Sequence, residues 1–472
     1  MRFAARWLNS AVALALFTLS VYRAAALSLT VDEAATYIGY VQHGWNGIFH
    51  GPFDANNHIL YSILEKLSRQ WFGMSELSLR LPALAGAAIF FWSMARLCAI
   101  LIPGIWFSLL GFLLAGANPL TLDFMAAARG YGLALGLLAF ALLQWIEWLE
   151  DERPARIGVA SVALGLSAGA NLMFAFASIA TFSVGALYLI RRQRLMLIPL
   201  AVLPAIVVPV ALWWAPFQDY NPVVFYFGTA TIYDSIESIE LALFEHNILR
   251  GDPFANWWTL FILRWWILPY LVPLIWCGIF FWTRRRATEP LGFATLVFAV
   301  ACFGIWLAHV WLGVLYPRER TGLSFTFLFL LTWIAAVAVC WRANRLTRWL
   351  LAFPGLLLAL VFLAQFAGQS DMRYFGAWQV SWKMRDIMSQ MRQLEGHGKT
   401  RLRTHWIYQS SAEYYRLRWK LAYEPIVREP DKFDLDKADY FLVPFSTEEE
   451  AKETGLRILY RDEVTGTTLL EK

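Results

Sequence analysis

The chain has 472 residues, of which 58% are hydrophobic, 16% aromatic and only 16% charged, with a formal net charge of +5. Soluble globular domains carry about 25% charged residues, so this composition excludes an ordinary soluble enzyme and indicates a polytopic membrane protein. The positive balance is not a nucleic-acid signature, because the basic residues are scattered where apolar runs end and are not gathered on one face.

Apolar runs close to the ~20 residues that cross a bilayer recur at Trp7–Leu27, Leu81–Leu97, Leu101–Pro119, Leu133–Leu149, Leu195–Trp214, Leu260–Trp282, Leu291–Leu312, Leu323–Trp341 and Trp349–Phe366. A longer run, Ile157–Ile190, predicts a hairpin of two helices turning near Ala170-Asn171, which brings the expectation to about eleven spans. The first run follows Arg2 and Arg6 and ends near Ala24–Ala26, a pattern that also suits a cleaved signal peptide; its length favours an uncleaved helix.

Orientation is read from the basic residues. Arg2/Arg6, Arg96, Arg153/Arg156, Arg191/Arg192/Arg194, Arg284–Arg286 and Arg342/Arg345/Arg348 occupy alternate connections, which are cytoplasmic under the positive-inside rule. The amino terminus is then cytoplasmic in a plasma (inner) membrane. The segments Ser28–Arg80, Leu120–Tyr131, Ala215–Trp258, Tyr316–Arg320 and the tail from Gln369 lie on the external face. Cys98, Cys277, Cys302 and Cys340 fall within or at the ends of apolar runs and suggest neither a disulfide framework nor a zinc site.

The first external connection has structure of its own. Asp32–Gln42 reads as helical, and a second helix places Ile59/Leu60, Ile63/Leu64, Leu67 and Trp71 on an apolar face with Glu65, Lys66, Arg69 and Gln70 off it, as for a helix lying in the membrane interface. The polar, turn-rich stretch His50–His58 joins them. The aromatic loop Ala215–Trp258 suits either headgroup anchoring or covering a substrate.

From residue 369 the composition changes, dividing the chain into a membrane domain (1–368) and a small external α/β domain (369–472). In the latter, helices are expected at Ala377–Leu394, Ala412–Trp419 and Thr447–Thr454. Strands are expected at Thr404–Tyr408, Tyr423–Arg428 and Tyr440–Pro444, followed by a hairpin over Arg457–Leu470.

Chemistry concentrates at the external ends of the spans. Asp32 and Glu33 sit just beyond the first one; a carboxylate there can accept a proton from a substrate hydroxyl, or either residue can simply cap the helix that follows Thr30. Arg129, in Ala128-Arg129-Gly130-Tyr131, can hold a phosphate through paired hydrogen bonds, or snorkel from a helix end. Arg318 and Arg320 stand in an external connection against the positive-inside trend, with Glu319 between them able to neutralise one; such cations suit a substrate phosphate or an anionic headgroup of the membrane lipids. Glu76 and Arg80 have i,i+4 spacing and Pro82 suits a first helical turn, which favours a structural pair. Asn56, Asn57 and His58 can bond polar substrate groups, though a histidine in such a place is commonly structural. Two adjacent acids without further ligands are weak grounds for a divalent cation, and no other cofactor is expected.

Taken in order, Asp32-Glu33, Asn56-Asn57-His58-Ile59-Leu60-Tyr61, Leu79-Arg80-Leu81-Pro82, Ala128-Arg129-Gly130-Tyr131 and an arginine-bearing late loop resemble the GT-C glycosyltransferases that use polyprenyl-phosphate sugars. Within that group the chain looks like the bacterial relatives of protein O-mannosyltransferases and lipid A aminoarabinose transferase. The resemblance implies transfer, with inversion, from a polyprenyl-phosphate sugar donor to a hydroxyl of a lipid, glycan or protein acceptor. Asp32 would be the base and Glu33 its support, with Asn57, His58, Tyr61, Arg80, Arg129, Tyr131, Arg318 and Arg320 as substrate-binding candidates. The chain departs from the pattern twice: a His-Pro-Pro form is common where it has Asn57-His58-Ile59-Leu60, and an acid is common where it has Ala128. A transporter or flippase is the competing reading, which would place ionisable groups in mid-span.

Overall fold

The structure is a computed structural model describing residues 2–244, 288–342, 359–360, 363–364, 366–395, 399–428, 438–444 and 448–472. Among them seven helices are long and apolar enough to cross a membrane, and two shorter apolar helices, Ile105–Gly116 and Pro154–Ala170, accompany them. The expected runs Leu260–Trp282 and most of Trp349–Phe366 lie outside the described residues, so the count of eleven stays an expectation.

The first span, α1 (Arg2–Ala26), leads into three short helices, α2 (Val31–Gly39), α3 (Gly44–His50) and α4 (Ile59–Phe72). Helix α3 was not legible in the sequence as a separate element. Helix α5 (Glu76–Leu101) starts earlier and ends later than its apolar run, because Ser75 and Ser78 form a reciprocal cap at its start and Pro103-Gly104, with Gly104 at φ +110°, breaks it. Pro82 therefore lies inside the helix, not in its first turn. Proline cannot donate to the carbonyl four residues back, and the Ser68 hydroxyl of α4 donates to that carbonyl, Ser78 O, at 2.5 Å. Tyr61 Oη donates to Leu79 O at 2.8 Å beside it, so the two bonds dock α4 on α5.

After α6 (Ile105–Gly116) and α7 (Pro119–Phe124), α8 (Gly130–Asp151) runs through the centre of the bundle, buried over nearly its whole length. It meets α5 backbone to backbone: a Cβ on Gly86 would come within 2.5 Å of Leu133 Cα, and one on Gly136 within 2.2 Å of Gly86 O. Small residues at that crossing give the close van der Waals contact that holds helices together where lipid removes the hydrophobic driving force. The long run after α8 is a hairpin, α9 (Pro154–Ala170) and α10 (Ala175–Arg191), turning at Asn171 as expected. Helices α11 (Ile198–Trp213), α12 (Ile232–Phe244), α13 (Glu289–Leu312) and α14 (Leu323–Arg342) complete the described bundle.

Charge separates the two ends of this bundle. At one end Glu147 takes Arg96 and Arg156, while Glu152 and Glu289 take Arg192. The other end carries α2–α4 and the carboxy-terminal domain.

That domain has helices α15 (Met384–Gln393), α16 (Trp406–Trp419) and α17 (Glu448–Glu453), and strands β1 (Leu402–Thr404), β2 (Val427–Arg428), β3 (Tyr440–Val443), β4 (Arg457–Arg461) and β5 (Thr468–Glu471). The strands form one sheet in the order β2-β1-β3-β5-β4, with β1 parallel to β2 and β3, and β5 antiparallel to β3 and β4. The strand expected at Thr404–Tyr408 lies two residues earlier, because His405 accepts from Ile407 N and starts α16, which takes Trp406–Tyr408 into a helix. The helix expected from Ala377 is a short 3-10 segment, Gly376–Ser381, followed by α15.

Candidate active site

The acidic pair divides its duties at once. Thr30 accepts from Glu33 N, and Glu33 Oε2 accepts from Thr30 N at 2.7 Å, a complete capping box at the start of α2. Glu33 also accepts from Ala128 N and binds Arg80 in bidentate fashion, at 2.8 Å from Nε and 2.7 Å from Nη2. The remaining Arg80 donors go to the carbonyls of Ala24, Leu27 and Ser28, so all five are used. Both side chains are 0% exposed. Glu33 and Arg80 thus form a clamp that ties α1, α2, α5 and the turn before α8 together, and neither has bonding capacity left for a substrate.

Glu76, expected to pair with Arg80, does not. Arg80 turns toward the end of α1, whereas Glu76 accepts from Arg385 Nε at 2.7 Å, Tyr415 Oη at 2.9 Å and Arg418, all from the carboxy-terminal domain. Tyr415 Oη in turn accepts from Leu29 N, and Tyr414 packs edge-on against Tyr37 of α2. The domain is seated on the helix that carries the acidic pair.

Asp32, one residue earlier, points elsewhere. Its side chain is 20% exposed and lies 3.4 Å from Arg320 Nη2. Burial acts to raise the Asp32 pKa, but the charges of Arg129 and Arg320 act against it and the carboxyl is held below its ordinary value. Arg129 is buried, and its guanidinium bonds Thr36 Oγ1 at 3.1 Å, Asn56 Oδ1 at 2.9 Å and Asp32 O at 3.3 Å, leaving Nε without a partner. Arg320 stacks on Phe227, 4.5 Å from the ring centroid, and Tyr131 packs against His58 at 5.5 Å and Phe124 at 4.7 Å. His58 Nε2 has no partner, and burial, reinforced by Arg129 and Arg320, pushes the imidazole pKa well down, so it is neutral.

Asp32, His58, Arg129, Tyr131 and Arg320 are therefore brought together from four separate segments. The other candidates are placed differently. Asn57 donates to Ile48 O and accepts from Ser62, which fixes the loop; Tyr61 holds α5; Arg318 is half exposed beside Glu319 at 3.2 Å. Among the described residues no group of three or more acids, histidines or cysteines could hold a metal ion.

The loop that carries Arg320 also borders an apolar cleft. It has a volume of about 260 Å³ between α12, α13 and α14, and is lined by Ile236, Ile239, Phe298, Trp306 and Phe329. Tyr316 and Pro317, at the start of the loop that carries Arg320, form one of its edges. Ser235 and Ser238 of α12 bond Pro317 O and Glu319 N and so fix that loop.

A crystal structure of ArnT from Cupriavidus metallidurans bound to undecaprenyl phosphate is similar to this chain over 98% of its residues and 97% of that chain's, with 11% identity and a TM-score of 0.53. The same protein in the apo state gives the same coverage, 13% identity and a TM-score of 0.54. The chain has the GT-C fold. The likeness is one of architecture and runs the length of both chains, from the first span to the terminal sheet. No family model and no curated protein matches the sequence.

Two features of this site carried no sequence signal. Trp378 reaches the site from the tail, its ring 5.9 Å from the Arg320 guanidinium and 5.4 Å from Phe124, with no motif around it. Glu65, which periodicity sets off the apolar face of α4, is fully buried with both carboxylate oxygens unpartnered. The buried residues of α4 are Ile59, Tyr61, Ser62, Glu65 and Ser68, while Ile63, Leu64, Leu67 and Trp71 are partly or largely exposed. A helix bordering lipid can turn its apolar side outward.

Proposed function

We propose that the chain is an integral-membrane glycosyltransferase that moves a sugar from a polyprenyl-phosphate donor to an acceptor hydroxyl, with inversion. The observation that carries the reading is an ionised aspartate facing two arginines, one of them on the loop whose Tyr316 and Pro317 line an apolar cleft. Asp32 supplies a base, Arg320 and Arg129 supply positive charge for a phosphate, and the cleft beginning at Tyr316-Pro317 suits the first isoprene units.

In this mechanism the acceptor oxygen attacks the anomeric carbon while Asp32 takes the hydroxyl proton. The bond from that carbon to the phosphate oxygen breaks, and its electron pair leaves with the polyprenyl phosphate. A phosphate is already a good anionic leaving group, so electrostatic stabilisation by fixed cations replaces the protonating acid that a glycosidase requires. Arg320, partly exposed and not saturated by protein partners, is the better phosphate ligand. Arg129, buried and bonded to Thr36 and Asn56, acts mainly through its field. Tyr131 and neutral His58 line the pocket, and Glu33 and Arg80 hold Asp32 in place from behind. The reading places the site on the external face of the plasma membrane, with residues 369–472 as the external domain.

A transporter or flippase would need ionisable groups in mid-span. Those in the described spans, such as Arg23, Arg80, Arg96 and Glu147, lie toward the helix ends, which favours the transferase. The test is transfer by purified full-length protein in nanodiscs supplied with polyprenyl-phosphate sugars and envelope acceptors, following release of free lipid phosphate. Asp32→Asn is expected to lower the rate about 10²- to 10⁴-fold. A folded Asp32→Asn protein that transfers at the wild-type rate would refute the assignment.

A further inference from the structure

Among the described residues three arginines are buried, Arg23, Arg80 and Arg129, and they are held in two different ways. Arg23 is paired with Asp123 and Arg80 with Glu33, so each of those charges is matched by a carboxylate. Arg129 is not. It is only 2% exposed, yet its bonds go to a hydroxyl, an amide oxygen and a backbone carbonyl: Thr36 Oγ1 at 3.1 Å, Asn56 Oδ1 at 2.9 Å and Asp32 O at 3.3 Å. It forms no ion pair among the described residues, and its Nε has no partner. Buried charges are ordinarily paired, because desolvation disfavours a lone ion. A cradle of neutral acceptors therefore leaves a fixed positive charge uncompensated beside the site.

Local bonds fix this cradle. The Thr36 hydroxyl, one turn after Asp32 in α2, donates to Asp32 O at 3.1 Å and to Asn56 O at 3.2 Å while it accepts from Arg129. Asn56 N donates to Asp54 Oδ1 at 2.7 Å, and Phe53 packs on Phe217 at 5.6 Å, Tyr220 at 5.5 Å and Phe225 at 5.7 Å. The aromatic loop after α11 thus braces the segment that presents Asn56. Arginine has only donors, so Asn56 turns its amide oxygen to the guanidinium. The acids within electrostatic reach of Arg129 are Asp32 and Glu65, and burial pushes the Glu65 pKa well above the carboxylate range; His58 beside them is neutral. Aspartate has nearly the shape of asparagine and would pair the charge. The chain carries the amide.

We infer that Asn56 is a positioning residue for Arg129, holding the guanidinium through a neutral acceptor and so keeping its positive charge available to the leaving phosphate. The inference rests on the transferase reading above. A sugar phosphodiester carries one negative charge, whereas the phosphate monoester released from it carries about −1.5 to −2 at neutral pH, so negative charge grows as the bond breaks. A fixed cation that nothing neutralises stabilises that growth, and its effect is larger in the transition state than in the bound donor. A carboxylate at position 56 would hold Arg129 equally well and cancel its field.

The experiment compares wild type, Asn56→Asp, Asn56→Ala, Arg129→Gln and the double variant Asn56→Asp with Arg129→Gln, as full-length proteins in nanodiscs. Thermal unfolding is measured beside transfer from polyprenyl-phosphate sugars to envelope acceptors, with kcat separated from donor KM and followed against pH. Asn56→Asp is expected to unfold no lower than wild type, because a carboxylate now meets a buried guanidinium, yet its kcat is expected to fall about tenfold or more. Donor KM is expected to change less, and the acidic limb to move to higher pH because the field of Arg129 on Asp32 is weakened. With Arg129→Gln already in place, Asn56→Asp is expected to lower kcat much less. Asn56→Ala, which removes the bond and adds no charge, is expected to lose less activity than Asn56→Asp. A merely structural asparagine gives the reverse order, since aspartate keeps the acceptor and alanine does not. If wild type transfers sugar and Asn56→Asp either matches its kcat and limb or fails to fold, the neutral cradle is wrong and the transferase reading survives. Absence of transfer by wild type with every donor and acceptor offered overturns both.

Discussion

Replacing Glu33 by glutamine tests whether the second acid of the pair is chemical or structural. In the folded protein its carboxylate accepts from Thr30 N, Ala128 N and two Arg80 nitrogens, with no exposure to water. Glutamine retains the shape but offers one acceptor oxygen and presents an amide N–H₂ toward donors. Arg80 is then a buried guanidinium facing only the carbonyls of Ala24, Leu27 and Ser28. Removing one partner of a buried ion pair costs about 3–5 kcal/mol, mostly because the survivor's charge is left uncompensated. That is a large fraction of a total folding stability of about 5–15 kcal/mol. Thermal unfolding of the purified protein in nanodiscs is therefore expected to shift down by several degrees in Glu33→Gln. Arg80→Met is expected to be similarly damaging, and the double variant less so than the sum, because it leaves no orphaned charge. Unfolding at the wild-type temperature in Glu33→Gln, together with lost transfer, would refute the clamp and return Glu33 to the chemistry.

Two further outcomes follow from the site. Arg320→Gln is expected to weaken donor use far more than Arg318→Gln, because Arg320 faces Asp32 whereas Arg318 lies beside Glu319; equal effects in donor titrations would remove that distinction. Since Arg320 helps hold the Asp32 pKa down, the base is ionised below the ordinary carboxylate range, and Arg320→Gln is expected to move the acidic limb of transfer upward. Glu65 gives the opposite sign. Burial, then Glu33, push its pKa well above the ordinary carboxyl value against Arg129 and Arg69, so the folded state binds a proton that the unfolded state releases. The resulting penalty is absent below the unfolded carboxyl pKa and grows as pH rises toward the folded one. Glu65→Gln should therefore raise the unfolding temperature more at pH 8 than at pH 5, and a uniform effect across that interval would contradict a protonated Glu65.

Much of the architecture was legible from patterns that act over a few residues. Span-length apolar runs, the turn at Asn171, the helix after Thr30 and the α/β character of the tail all follow from local hydropathy, capping and turn chemistry. So did the attention drawn to Asp32, Arg129 and Arg320, because charge at the end of an apolar run is conspicuous. The helix boundaries failed where a cap outranked the hydropathy pattern, as at Ser75 and His405. The burial of Glu65 in α4 was not legible because lipid is as apolar as a protein core, so an apolar stripe does not say which way it faces.

The sequence by itself determined that this chain lives in a membrane, which ends of its spans carry charge, and which few residues are worth suspecting. Only the tertiary structure decided their partners. Glu33 and Asp32 are adjacent in sequence, yet one is locked to Arg80 and the backbone of Ala128 and the other faces Arg129 and Arg320. Glu76 is four residues from Arg80 and binds Arg385 and Arg418 more than three hundred residues away. Trp378 enters the site from a separate domain. Ion pairing in a water-poor interior is settled by which charges the packing brings within a few ångströms, and that proximity is a property of the assembled helices, not of any segment alone.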